Sequence, residues 1–146
     1  MSHKASVAII IYEHKILLLL RDDKPNIPDP NVWQLPGGQI EGNENHLQTI
    51  QRELEEEICM VPSNLVYMGE TASNICVYLS ILKEDEVQQI KLGNEGQQLK
   101  FFSVQEFMNL PVTKALKFYV DNCEQGLKML IEREELDNVS LLGLKV

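Results

Sequence analysis

Two short apolar runs begin the pattern, residues 6–12 (SVAIIIY) and 15–20 (KILLLL), with the polar pair Glu13-His14 between them. They predict two strands joined by a tight turn. Their apolar residues run on without alternation, so the sheet is expected to be covered on both faces. Residues 21–31 hold three prolines among charged residues and read as a loop. Residues 32–35 predict a short strand leading into Pro36-Gly37-Gly38, where glycine permits close approach. The period then changes. Leu47, Ile50, Leu54 and Ile58 recur at helical spacing and predict a helix over residues 43–59, with Asn43 as N-cap. Glu44 in its first turn would complement the helix dipole.

Pro62-Ser63 breaks the chain, and residues 65–71 and 75–82 read as a second strand pair around Ala72-Ser73-Asn74. Residues 83–86 read as a charged turn, 87–92 as a short strand, 93–96 as a loop and 97–102 as a strand. Ser103 with Glu106 forms a capping box for a short helix to about residue 109. Beyond Pro111 a helix is predicted over residues 113–135, interrupted near Gly126, and the tail 136–146 is apolar enough to pack. Strands and helices mix without regular alternation, which predicts an α+β sandwich.

The length of 146 residues suits one domain, residues 1–146, with a real core. A net charge of −9 argues against a nucleic-acid polymer as partner. Cys59, Cys76 and Cys123 show no paired spacing and read as reduced thiols. The apolar runs are too short to span a membrane and no signal-peptide pattern opens the chain, so a cytoplasmic location and no membrane partner are expected. His3, His14 and His46 show no ligand spacing and read as surface residues. Trp33 reads either as a core residue or as a platform for a base, and Phe101, Phe102, Tyr78 and Tyr119, open to the same two readings, are assigned to the core.

The chemistry concentrates in the predicted helix over residues 43–59. Glu53, Glu56 and Glu57 lie three and four residues apart on one flank, where like charges repel and cost helix stability. A hard divalent cation, Mg²⁺ or Mn²⁺, would remove that cost, because such ions prefer oxygen ligands and bind phosphates at the same time. Arg52 stands four residues before Glu56, where its guanidinium can orient carboxylates.

Gly38, Glu44, Arg52, Glu53, Leu54, Glu56 and Glu57 stand in the register of the Nudix hydrolase signature, with Met60 in its last aliphatic place and Cys59 where the signature has glycine. The chain therefore resembles the Nudix hydrolases, and Glu95-Gly96-Gln97 and the segment Arg21-Asp22-Asp23-Lys24-Pro25 resemble the MutT-like branch. The resemblance implies a mixed sheet between helices in an α/β/α sandwich. It implies Mg²⁺-dependent attack of water on the pyrophosphate linkage of a nucleoside diphosphate derivative, with nucleoside triphosphates and oxidised deoxynucleoside triphosphates among the candidates. Glu53, Glu56, Glu57 and a Gly37 main-chain carbonyl would hold metal, and Glu95 would be a further ligand or the general base. Arg52 would orient the glutamates, and Gly38 and Glu44 would shape or assist the site. The substrate-binding residues are not identified, and both a monomer and a homodimer fit. Two alternatives stay open: a GDP-sugar glycosyl hydrolase of the same fold, and a non-catalytic nucleotide-binding module.

Overall fold

The computed structural model describes residues 3–134 and 139–145. Strand β1 (Ala5–Tyr12) is the centre of a mixed sheet. It turns through Glu13 and His14, at φ 48° and 61°, into β2 (Lys15–Leu20). The left-handed angles at both turn residues match the twist of a two-residue hairpin. Only Ile11↔Ile16 and Tyr12↔Lys15 pair along this hairpin, because β2 then leaves β1. It pairs instead with β3 (Trp33–Gln34) and, along its length, with β7 (Gln98–Phe102).

The edge of β1 that β2 abandons is taken by β4 (Gly37–Gln39), antiparallel, from Ala5↔Gln39 to Val7↔Gly37. The other edge pairs in parallel with β6 (Ile75–Ile81), which is flanked by β5 (Val66–Glu70). Gly37 and Gly38, to which the predicted strand leads, thus form a strand of their own. Glycine is required there because a Cβ at Gly37 would lie 2.3 Å from the Ser6 carbonyl oxygen.

Both faces are covered, as the apolar runs predicted. Ala8 and Ile10 of β1 pack with Ile50, Leu54 and Ile58 of α1 (His46–Ile58). Ile9 and Ile11 face the other way, with Trp33 and Phe102, against Leu116, Val120, Leu127 and Leu130 of α4 (Lys114–Arg133). Trp33 meets Phe102 edge-on with centroids 4.7 Å apart, so it belongs to the core.

Several boundaries differ from expectation. The cap of α1 is Asn45, whose side chain accepts from Gln48 N–H at 2.8 Å, so Asn43 and Glu44 precede the helix. Leu47 is exposed, and buried Thr49 takes the inward place in that turn. Residues 83–86 form most of a short helix, α2 (Glu84–Val87), and the strand expected over 87–92 is absent. The physical reason lies in the local turns and in α1: the N–H groups of Val87, Gln88, Gln89 and Ile90 donate to the carbonyls of Lys83, Glu84, Glu86 and Val87, and Lys91 N–H and Gly93 N–H donate to the carbonyls of Ile58 and Glu57, both at 3.0 Å. Donors that satisfy a helix end cannot also enter a ladder.

The capping box at Ser103 and Glu106 forms as expected and opens α3 (Val104–Phe107). In α4 the break falls at Cys123, φ −129°, rather than at Gly126. Gly126 serves close packing instead, since a Cβ there would lie 2.4 Å from the Leu141 carbonyl oxygen. The tail packs through buried Leu142 and Leu144 and bridges Glu70 at Lys145. Glu135 and residues 136–138 and 146 of the predicted helix and tail lie outside the described residues. The three cysteines are free. Among the described residues no helix is long and apolar enough to cross a membrane.

Candidate active site

Helix α1 lies over β4, and the two build a cleft of about 360 Å³. Gly37, Gly38, Glu53, Glu57 and Glu95 line it together with Arg21, Gln34, Gln39, Ile40 and Glu41. The glycines matter because the carboxylates sit on them. Gly37 N–H donates to Glu57 Oε1 at 2.7 Å, and a Cβ at Gly38 would come within 2.5 Å of Glu53 Oε1.

Glu57 is 7% exposed. Burial pushes its carboxyl up to about 8; the Gly37 N–H opposes this, and the charges of Glu53, Glu95 and Glu56 add to it. Glu53 is also raised, first by burial, while Arg52 pulls it down. Glu56 does not enter the cleft. Its side chain is 54% exposed and turned to Arg52 at 3.3 Å.

Arg52 stands behind the cleft as a hub. Its Nε donates to Glu44 Oε2 at 2.7 Å, one terminal nitrogen donates to Glu53 Oε1 at 2.8 Å, and the other donates to the Gln39 carbonyl at 3.0 Å. The guanidinium holds the Glu44 carboxyl down at about 2, assisted by the Glu41 N–H and the Thr49 hydroxyl. Glu44 is therefore paired with Arg52 and lies outside the first turn of α1. Thr49 Oγ1 lies 3.2 Å from Glu44 and from His3 Nε2, a link the sequence pattern did not reveal. His46 is not a plain surface residue either: it bonds Tyr78 Oη and stacks on Tyr67 at 4.6 Å.

Arg21 was also missed as a site residue. Its guanidinium donates to the carbonyls of Asp29 and Pro28 and to Gln34 Oε1, all uncharged acceptors, so it brings an unneutralised cation to the acidic cleft. A larger cavity of about 700 Å³ adjoins and shares Gln34, Gly37 and Gly38 with the cleft. Its walls are largely apolar, including Val7, Leu35, Val77 and Leu116, with Phe118, 70% exposed, on α4. Tyr119, assigned to the core from the sequence, also lines it, and its buried hydroxyl has no hydrogen-bond partner among the described residues.

Among the described residues no group of three or more His, Cys, Asp or Glu side chains is gathered as a coordination cluster. The donor chemistry of the cleft nevertheless suits a hard divalent cation. Four carboxylates line it, those of Glu41, Glu53, Glu57 and Glu95, and Glu57 is buried against the Gly37 N–H with no salt-bridge partner among the described residues, which is costly while ionised.

A model of the NUDIX domain family matches residues 2–122. An RNA pyrophosphohydrolase of Coxiella burnetii is 36% identical over 45 residues, 31% of this chain. The match spans 20% of that relative's length. The NUDIX domain of Shewanella oneidensis NrtR, complexed with ADP ribose, superposes with a TM-score of 0.65 at 19% identity over 86% of this chain and 88% of that one. The MutT protein from Methanosarcina mazei Go1 superposes with a TM-score of 0.63 at 19% identity over 91% and 95%. At these identities the two structures attest the fold, a mixed sheet between helices.

Proposed function

This chain belongs to the NUDIX domain family, MutT-like in fold, and on that premise we propose that it is a metal-dependent hydrolase of pyrophosphate linkages in small nucleotides. The observation that carries the reading is the junction of two spaces. A cleft bearing Glu53, Glu57 and Glu95 shares Gln34, Gly37 and Gly38 with an apolar cavity large enough for a nucleoside. A nucleoside diphosphate derivative has the matching halves, an anionic pyrophosphate and a flat, largely apolar base.

In the reaction, water attacks one phosphorus, the anhydride P–O bond breaks, and a phosphate oxygen leaves with the bond pair. A bound Mg²⁺ or Mn²⁺ would neutralise phosphate charge and make water more acidic. Glu53 and Glu57, with the Gly37 carbonyl, would hold it, and Glu56, outside the cleft and paired with Arg52, would have to turn inward to join them. Arg52, itself fixed by Glu44, orients Glu53 and Glu56. Arg21, which lines the cleft, would offer its remaining donors to a phosphate. Glu95 either takes the proton of the attacking water or adds a ligand.

The net charge of −9 favours a small nucleotide over an RNA end. The reading treats residues 1–146 as one domain, since α4 runs through the end of the matched region and stays packed on the same core. The test is a panel of nucleoside triphosphates and diphosphate derivatives with Mg²⁺ or Mn²⁺ in ¹⁸O-water. Label is expected in a phosphate product. Label in a released sugar would establish the GDP-sugar alternative. Absence of turnover on the whole panel would leave the binding-module alternative.

A further inference from the structure

Glu95 is exposed, and its position in the cleft is set by how its loop is tied at both ends. Before it, Gly93 N–H donates to the Glu57 carbonyl at 3.0 Å. Gly93 lies so close to α1 that a Cβ would fall 1.7 Å from the Glu56 carbonyl oxygen. After it, Gly96 N–H donates to Asp22 Oδ1 at 3.1 Å, and Gln97 N–H donates to the Leu20 carbonyl at 2.8 Å. Gly96 holds φ +91°, and a Cβ there would meet Leu19 Cδ1 at 2.6 Å. Gln97 Nε2 closes the arrangement on the Arg21 carbonyl at 2.7 Å and on Asn31 Oδ1 at 2.9 Å. The other oxygen of Asp22 faces Lys24 Nζ at 3.8 Å.

One anchor of the loop is thus the main chain of Glu57 itself, and the next residue after Glu95 hangs on a side chain of the loop that follows β2. We propose that Asp22 is a positioning residue that acts through the Gly96 N–H to hold Glu95 opposite Glu57, with Gly93 fixing the other end. This inference rests on the hydrolase reading. It gives a purpose to the Arg21-Asp22 segment: Arg21 borders the cleft while Asp22 fixes the carboxylate across it. A misplacement of about 1 Å can cost on the order of 10²-fold in rate, so losing one anchor should be visible in turnover.

Four variants test it: Asp22→Ala, Asp22→Asn, Glu95→Gln and the double variant Asp22→Ala/Glu95→Gln. Glu95→Gln is expected to lower kcat by about 10²–10⁴-fold. Asp22→Ala should lower kcat by about 10–10²-fold with KM little changed. Asp22→Asn keeps the acceptor oxygen and should retain most of the activity. The double variant should be no slower than Glu95→Gln alone, because Asp22 has nothing left to position. In the metal-free protein, Asp22→Ala should speed amide hydrogen exchange over residues 93–97, and Asp22→Asn should not. Should Asp22→Ala fail to fold, Asp22→Glu keeps the charge but moves the acceptor by one methylene, and it should lower kcat with the same non-additivity towards Glu95→Gln. Wild-type turnover in Asp22→Ala, multiplied losses in the double variant, or unchanged exchange would each overturn the inference while leaving the hydrolase reading intact. A wild-type protein inactive on the whole nucleotide panel would overturn both.

Discussion

At the scale of single residues, Glu57 carries the largest electrostatic tension. Its carboxyl ionises near 8 in the fold and at its ordinary value of 4.5 in the unfolded chain. Between those values the native state binds one proton more than the unfolded state, so stability falls as pH rises from about 4.5 to about 8 and is flat above. The raised Glu53 carboxyl acts in the same direction. Glu44, held down at about 2, acts oppositely: its contribution is full above about 4.5 and is lost only as the pH falls through about 2. Metal-free melting temperature should therefore decline from pH 5 to pH 8, and Glu57→Gln should flatten much of that decline. Parallel slopes in the two proteins would refute the burial account of Glu57.

Cys59 is the second residue of this kind. It ends α1 at φ 62°, ψ 23°, the left-handed conformation that glycine adopts without a Cβ penalty. Cys59→Gly should raise stability by roughly 1 kcal/mol and leave turnover unchanged. A lower midpoint in chemical denaturation for that variant would count against strain at the cap.

At the scale of elements, α1 shows how a helix is placed by its ends. Asn45 and Gln48 make a reciprocal capping box, with bonds of 2.8 and 2.9 Å. Asn45→Ala should cost about 1 kcal/mol, within the usual range of roughly 0.5–2. Asn43→Ala should change stability by less than about 0.5 kcal/mol, since Asn43 is exposed and two residues before the cap. Equal losses in thermal or urea unfolding would move the helix start back to Asn43. The far end of α1 is closed by Lys91 and Gly93, so the element that bears Glu57 and the loop that bears Glu95 share hydrogen bonds. The helix propensity of residues 46–58 says nothing of this partnership, which joins positions more than thirty apart.

At the scale of the whole molecule, metal and fold should be linked. An ion that binds only the native cleft stabilises it by about 2.7 kcal/mol at one hundred times its dissociation constant. Mg²⁺ should raise the melting temperature of the wild type more at pH 8 than at pH 6, because Glu57 must lose its proton to serve as a ligand. Glu57→Gln should lose most of that gain. A metal effect of equal size in both proteins would place the ion elsewhere.

The glutamate register from Gly38 to Glu57, the β1–β2 hairpin, the two-faced burial of the sheet and the capping box at Ser103 were legible from residue order alone. Each depends on spacing between near neighbours: period, turn length, or a cap three residues from its partner. The helical wheel could group Glu53, Glu56 and Glu57 on one flank but could not rank them. Contact with β4 did that, burying Glu57 on the Gly37 N–H, laying Glu53 over Gly38 and leaving Glu56 outside. The strand expected over residues 87–92 is lost because the N–H groups of residues 87–90 close the turns of α2 and that of Lys91 satisfies the end of α1. The cation of Arg21, the anchor at Asp22 and the cavity beneath α4 depend on β2 leaving β1 and β4 taking its place. Those pairings join residues far apart in the chain, and only the packed sheet selects among them.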